Sequence, residues 1–388
     1  MKRKKVVLLG VGRVGVAIAH DLSSDEHVLL TVVDRDERRL VQLREKLGVV
    51  TEAADASNPQ ELQRLVRDAD LVVGALPGFL GYSVLKTLIQ LRKNVVDISF
   101  FPEDPADLDQ LARQADVTAV IDCGVAPGTS NLIVGWAVSQ LDSVDVVSIL
   151  VGGLPVERVL PWEYKAPFSP VDVIEEYTRP ARLVENGHVV VKEPLSDLEL
   201  LEFDGIGTLE AFNTDGLRTL LTTIPAKRMR EKTLRYPGHA SKIQFLKNLG
   251  LFSSQTVDTD SGKVVPRDLA AALLSERWRY REGEADITVM RIEVSGKRGE
   301  QGVRFRYDLL DRYDPVQGLS SMARTTGFMA TAVARQVLVG RIQRKGVFAP
   351  EALGVDPDLF HTIVRELAER GVVYRRTTPP EEGSRLSQ

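Results

Sequence analysis

The first third of the chain alternates short apolar runs with stretches in which apolar residues recur every three or four positions. The runs are Lys5–Gly10 (KVVLLG), Leu29–Asp34 (LLTVVD), Val49–Ala53, Leu71–Leu76, Asn94–Ile98 and Val117–Asp122. Their β-branched content and the absence of polar alternation predict strands buried on both faces. Between them, Arg13–Leu22 carries Val14, Ala17, Ile18 and Leu22 at helical spacing, and helical stretches follow at Asp36–Lys46, Pro59–Arg67, Tyr82–Leu91 and Asp104–Gln114. Strand and helix in strict alternation imply a Rossmann-type, doubly wound parallel sheet with right-handed crossovers. From Gly124 the rhythm changes. Val144–Val151, Val189–Val191 and Ile287–Val294 read as strands, and GKRGEQG joins the last of these to Val303–Leu309 as a hairpin. This predicts a mixed α+β domain. After Gly318 the segment SSMARTTGFMATAVARQVLVGRI reads as one long buried helix, and Pro379–Gln388 as a frayed tail. The expected division is therefore 1–123, 124–316 and 317–388, an α/β fold with a second α+β domain.

Composition narrows the function classes. Lys and Arg total 50 against 54 Asp and Glu, a net charge of −4, which argues against nucleic acid as the main partner. The single cysteine, Cys123, excludes an intramolecular disulfide and a cysteine-based zinc site, and the five histidines show no ligand spacing, so no metal is expected. No apolar run reaches the ~18 residues that span a bilayer. MKRKK at the start is basic, but the apolar residues after it are interrupted by glycines and Arg13 rather than forming a secretory h-region. A soluble, reduced, cytoplasmic protein without membrane partners is expected.

Gly10, Gly12 and Gly15 form GVGRVG between the first strand and the first helix. In that context the first glycine allows a tight turn, the second lets the backbone approach a pyrophosphate, and the third lets helix and strand pack closely. The anion sits on the helix N-terminus, beside Arg13 and Val14. Asp34 ends the second strand 24 positions after Gly10, where an acidic residue takes the adenosine ribose hydroxyls. It repels a 2′-phosphate, which favours NAD, whereas the adjacent Arg35 can accommodate that phosphate and keeps NADP open. Strand ends place Asp55 and Ala56 near the adenine and Ala75, Leu76 and Pro77 along the cofactor. Asp97 and Asp122 end the next two strands on the nicotinamide side, although a strand-end aspartate is more often a cap or turn residue. Cys123 admits two readings, a nucleophile for an aldehyde or a small apolar packing residue, of which packing is the commoner. In the second domain Arg235 and His239 flank a Pro-Gly turn, and Asn213, Thr214 and Arg218 form a second polar cluster. An arginine can bind a carboxylate bidentately and a histidine can move a proton. Isolated Arg and His residues are nevertheless structural by default. Trp162–Lys165, with Tyr164, can border a cleft.

These motifs resemble the saccharopine dehydrogenase superfamily: GVGRVG, then VIDCGVAPG at Val120–Gly128, VGGLPV at Val151–Val156, LEAFNTDG at Leu209–Gly216, KTLRYPGH at Lys232–His239 and MARTTG at Met322–Gly327. The resemblance spans Val6 to Pro350, and its nearest branch is lysine 6-dehydrogenase, with D-x-G-V-A-P-G and R-Y-x-G-H. Saccharopine reductases carry D-P-G where this chain has Ala126-Pro127-Gly128, and Leu217-Arg218 departs from the lysine branch, so another amine or amino acid stays open as substrate. The resemblance implies NAD-dependent oxidative deamination of the ε-amine of L-lysine to 2-aminoadipate 6-semialdehyde. It implies Arg235 or Arg218 on the α-carboxylate, Asp97 or Asp122 on ammonium groups, and His239 as polar partner or proton acceptor. It also implies C-terminal helices returning to the first domain and a homodimer or higher oligomer. Two alternatives stand beside it: a saccharopine dehydrogenase or reductase using NADP, and a nucleotide-sensing protein without turnover.

Overall fold

The computed structural model describes residues 3–166, 170–260, 262–281 and 283–377. The chain divides into two compact units, Met1–Leu132 with Val316–Val372, and Ile133–Pro315 with Val373–Gln388. The expected tail, Pro379–Gln388, lies outside the described residues.

In the first unit β1 (Lys4–Leu9), α1 (Arg13–Ser23), β2 (Val28–Asp34), α2 (Glu37–Leu47), β3 (Val50–Ala53), α3 (Pro59–Val66), β4 (Leu71–Gly74), α4 (Gly78–Gln90), β5 (Val95–Asp97), α5 (Asp109–Gln114) and β6 (Thr118–Val120) follow one another. Among the described residues the sheet has seven parallel strands. Their order is β3-β2-β1-β4-β5-β6, then the strand Gly346–Phe348, which pairs with β6. That last strand, three residues long, was too short to read as a periodic run. The order reverses between β1 and β4, the switch point beyond which such sheets bind ligands. The helices start where chemistry favours it. Asp36 accepts from Arg38 and Arg39 N–H to cap α2, and Asn58 accepts from Gln60 and Glu61 N–H to cap α3 ahead of Pro59. The long helix Ser321–Leu338 is capped by Ser320 and lays Ala, Thr, Phe328 and Met329 into the interior. Each large apolar side chain so buried contributes roughly 1.5–3 kcal/mol.

The second unit follows α6 (Thr129–Ser139), which begins in the first. It contains β7 (Ser143–Pro155), α7 (Pro170–Thr178), β8 (Ala181–Glu185), β9 (His188–Lys192), β10 (Glu199–Phe203), β11 (Gly207–Asn213), α8 (Leu220–Thr223), β12 (Ala226–Arg235), α9 (His239–Asn248), β13 (Val257–Thr259), β14 (Gly262–Val264), α10 (Pro266–Arg277), β15 (Asp286–Arg298) and β16 (Gln301–Arg312). Its mixed sheet runs β10-β11-β12-β7-β15-β16 and then the strand Arg375–Thr377, with β8 on β12 and β9 on β8. Among the described residues of this sheet only β7 and β12 pair in parallel; the other ladders are antiparallel. The hairpin expected at GKRGEQG is β15–β16, closed by the pair Arg298↔Gln301. An aromatic core of Tyr164, Tyr177, Phe212, Phe252 and Trp278 packs where α7, α9 and α10 meet β11.

Candidate active site

At the switch point β1 turns sharply into α1. Gly10 has φ +101°, and a Cβ there would lie 2.4 Å from the Ala75 carbonyl oxygen. Gly15 packs so closely that a Cβ would lie 2.1 Å from the Gly10 oxygen. A Cβ on Gly12, by contrast, would meet nothing within 4 Å. Gly12 is the N-cap of α1 and offers no side-chain acceptor, and the first amide bonded to it within the helix is Val16 N–H, 3.0 Å from Gly12 O. The Arg13, Val14 and Gly15 amides thus start a helix with open space before it, which suits an anion. Asp34 braces the loop: its Oδ2 accepts from Val11 N–H at 2.6 Å and its Oδ1 from Asp36 N–H at 2.8 Å. One lone pair on each oxygen stays available to hydroxyl donors. These residues fit a dinucleotide.

The remaining expected cofactor residues fall into three environments. Ala75 and Leu76 touch Gly10, and Pro77 caps α4. Arg35 and Asp55 are exposed; Asp55 accepts from Ser57 N–H and Oγ at 2.9 and 2.6 Å, bonds that lower its pKa. Ala56 packs in the apolar core of the sheet, so it can offer a ligand only its backbone.

Asp97, at the end of β5, and Asp122, just past β6, are 3 % and 2 % exposed. Burial pushes Asp97 up to about 7, against the bond its Oδ1 accepts from Ser99 N–H at 2.6 Å, and the Asp122 charge adds to the rise. Cys123 N–H donates to Asp97 O at 3.0 Å. The thiol is raised well above its ordinary value by burial and then by Asp97 and Asp122. A thiol so held is a poor nucleophile, which favours the packing reading.

In the second unit Glu210 organises the turn into α9. Its carboxylate accepts from Gly238 and Ala240 N–H at 2.7 and 2.5 Å, an anion on a helix N-terminus. His239, the first residue of α9, is 1 % exposed; its Nε2 lies 2.9 Å from Tyr177 Oη and its ring packs 4.8 Å from that of Tyr164. Burial, then the Arg235 charge, pulls its pKa well below the ordinary value. The imidazole is neutral, an environment that suits the polar-partner role and opposes the proton-acceptor role. Arg235, at the end of β12, donates to Tyr177 Oη at 3.1 Å, to Leu234 O at 2.9 Å and to both Glu176 oxygens at 3.2 and 3.3 Å. Its guanidinium lies 4.6 Å from the Tyr164 ring centroid. Burial raises Tyr164 to about 12 and pushes Tyr177 well above its ordinary value, so both stay phenols.

The expected substrate residues Arg235, His239 and Tyr164 therefore meet in one cluster. Thr214 joins it through Thr233, 2.9 Å away between hydroxyl oxygens. Asn213 does not, because its amide donates to Ser196 Oγ and Asp197 Oδ2 and ties β11 to that loop. Arg218 is buried with φ +51° in the loop after β11. Lys165 lines a separate cavity of about 370 Å³ with Val156, Val159, Tyr280 and Glu284. Four central groups escaped the sequence reading: Glu176, Tyr177, Glu231 and Thr233. A signal for two of them was present, since Glu231, Thr233 and Arg235 alternate along β12 and so share a face.

Family models described as the saccharopine dehydrogenase NADP binding domain and the saccharopine dehydrogenase C-terminal domain match residues 6–120 and 124–372. The mitochondrial alpha-aminoadipic semialdehyde synthase of Bos taurus is 23 % identical over 449 residues, covering 96 % of this chain and 47 % of its own. This chain thus spans about half the length of that relative. The saccharopine dehydrogenase (NADP+, L-glutamate-forming) of Saccharomyces cerevisiae is 22 % identical over 447 residues, covering 96 % of this chain and 98 % of the relative. The apo structure of the Saccharomyces cerevisiae saccharopine dehydrogenase (L-Glu forming) has the same fold, with a TM-score of 0.81 at 20 % identity over 97 % of this chain and 100 % of that one.

Proposed function

The chain belongs to the saccharopine dehydrogenase family, and from that premise we propose that it is an NAD(P)-dependent oxidoreductase acting on the carbon–nitrogen bond of an amino acid. Its preferred substrate in this reading is the ε-amine of L-lysine, and its preferred cofactor NAD. The observation that carries the reading is the presence, in one chain, of an uncapped helix N-terminus behind a tight glycine turn and a buried cluster of carboxylates, arginine and tyrosines.

A bound dinucleotide supplies the two-electron oxidising equivalent. The α1 amides from Arg13 to Gly15 would hold its pyrophosphate, and Asp34 would take the ribose hydroxyls and disfavour a 2′-phosphate. Asp97, raised to about 7 by burial, is the carboxyl suited to exchange a proton with an amine near neutral pH. Glu176 is anchored by Arg235 and by Thr233 Oγ1 at 2.5 Å, with a side chain 21 % exposed, and offers a carboxylate to an ammonium group. Arg235 or Arg218, both buried, takes a substrate carboxylate in this reading. His239 and Tyr177 keep that region dry and ordered.

A second reading, saccharopine dehydrogenase chemistry with NADP, is favoured by the name of the yeast relative and by the exposed Arg35 next to Asp34. A panel of amines and amino acids with each cofactor, followed by absorbance of the reduced nicotinamide, separates the two. Lysine with NAD alone supports the first reading; turnover confined to saccharopine and NADP supports the second; cofactor binding with no turnover of any amine overturns both. We also propose a homodimer or higher oligomer in the cytoplasm, and a monomer in sedimentation at micromolar concentration would contradict the assembly. No helix among the described residues is long and apolar enough to cross a membrane.

A further inference from the structure

Four side chains in the second unit stand in an unbranched line. Thr214 Oγ1 lies 2.6 Å from Glu231 Oε2 and 2.9 Å from Thr233 Oγ1, and Thr233 Oγ1 lies 2.5 Å from Glu176 Oε1. All three distances are those of O–H···O hydrogen bonds, and each such bond needs one proton between its oxygens. The line has three contacts. The two threonine hydroxyls supply two protons, so the third must come from a carboxyl group at one end.

The surroundings decide which end. Arg235 donates to both oxygens of Glu176, so the carboxyl at that end of the line has a cation beside it. Glu231 is 4 % exposed, and its register partner across β7 is Ile149. The largest charge effects on it come from two acidic groups, Glu176 on α7 and Asp215 after β11. Asp215 is itself paired by Arg182 of β8, with two contacts of 2.8 Å. An ionised Glu231 would be a buried charge among like charges, which is costly. We infer that Glu231 is a neutral carboxylic acid in the folded protein and that, through Thr214 and Thr233, it forms a proton relay to Glu176. Burial pushes its pKa up to about 8, with Glu176 and Asp215 adding to it against hydrogen bonds from Thr214 and the Gly216 amide.

The transfer balances without an outside reactant. Glu231 gives its proton to Thr214 Oγ1, Thr214 gives its own to Thr233 Oγ1, and Thr233 gives its own to Glu176 Oε1. Three O–H bonds break, three form, and one negative charge moves from Glu176 to Glu231. The relay thereby turns Glu176 from a carboxylate into an acid. This deepens, and rests on, the amine-oxidoreductase reading, because a departing nitrogen needs a proton and Glu176 is the member nearest solvent. Glu231 and the threonines act through Glu176 and are positioning residues.

The test uses full-length protein labelled with ¹³C at glutamate side-chain carboxyls, titrated without substrate. The relay requires one glutamate to titrate near pH 8, and this resonance to vanish in Glu231→Gln, whose amide can still donate to Thr214. The inference is overturned if every glutamate titrates near the ordinary 4.5, or if the high-pH resonance survives that substitution. In protein that turns over an amine, Glu231→Gln and Thr214→Val should each remove the limb near pH 8 from the kcat/KM profile. Thr214→Val should retain a protonated Glu231. An unchanged pH profile in both variants overturns the relay. The labelled titration needs no turnover, so a protein inactive on every amine would sink the functional reading and leave the neutral Glu231 standing.

Discussion

The glycine loop at Gly10–Gly15 and the polar cluster around Glu176 and Glu231 are both equipped for charged chemistry, and they are made of different material. The loop is local and built from backbone: one turn, one helix end, and a single carboxylate bracing Val11 and Asp36. The cluster draws on α7, the loop after β11, β12 and α9, and is held by hydrogen bonds between side chains. A backbone site fails when space is filled. A side-chain network fails when a partner is removed, because a buried group is then left without its bond.

The largest effects should separate the two on that ground. Arg235→Met leaves Glu176 without its cation and removes the bond donated to Tyr177 Oη, and should cost about 3 kcal/mol in chemical denaturation, with loss of turnover and little change in dinucleotide affinity. Gly15→Ala drives a Cβ into the Gly10 carbonyl and should cost about 2 kcal/mol or more while abolishing dinucleotide binding in a fluorescence titration. Gly12→Ala fills only open space. It should cost about 0.5 kcal/mol yet still weaken the dinucleotide at least tenfold. Equal stability losses in the two glycine variants would break the distinction between packing and ligand space.

Next in size is pH, read as Tm against pH. Glu231 holds a proton in the folded state that the unfolded chain releases above its ordinary 4.5, so its contribution is full below that value and is lost as pH rises towards about 8. Asp97 acts in the same sense in the other unit, between 3.8 and about 7. His239 has the opposite sign: its folded pKa lies below 6.5, so stability present above 6.5 falls on acidification as the unfolded state takes up the proton. Glu231→Gln should therefore flatten the alkaline decline and His239→Gln the acidic one. The smallest effect is on cofactor choice, where Asp34→Asn should move the NAD/NADP preference towards NADP by about tenfold, or about 1.4 kcal/mol.

The same difference in material explains what could be read in advance. The parallel sheet, the loop and its aspartate are written in contiguous, periodic residues, and Lys5–Gly10 followed by GVGRVG needed nothing from elsewhere in the chain. Arg235, His239 and Tyr164 were singled out for their chemistry. Their partners Glu176 and Tyr177 lie about sixty positions before Arg235 and His239, in a helix, Pro170–Thr178, that carries no motif to mark it. Asn213 stands out in the sequence as part of a polar cluster able to bind a substrate, but its amide is spent on Ser196 and Asp197. The acid at Glu231 was legible only as alternation along β12, and its protonation depends on three neighbours that no spacing places together.

The most direct measurement is the absorbance of reduced nicotinamide when the purified protein meets L-lysine and NAD with no oxo acid or second amino acid present. Steady formation of the reduced cofactor, lost in Arg235→Met and in Gly15→Ala, is the expected result. No reduction with lysine, together with brisk reduction of NADP by saccharopine, would contradict it.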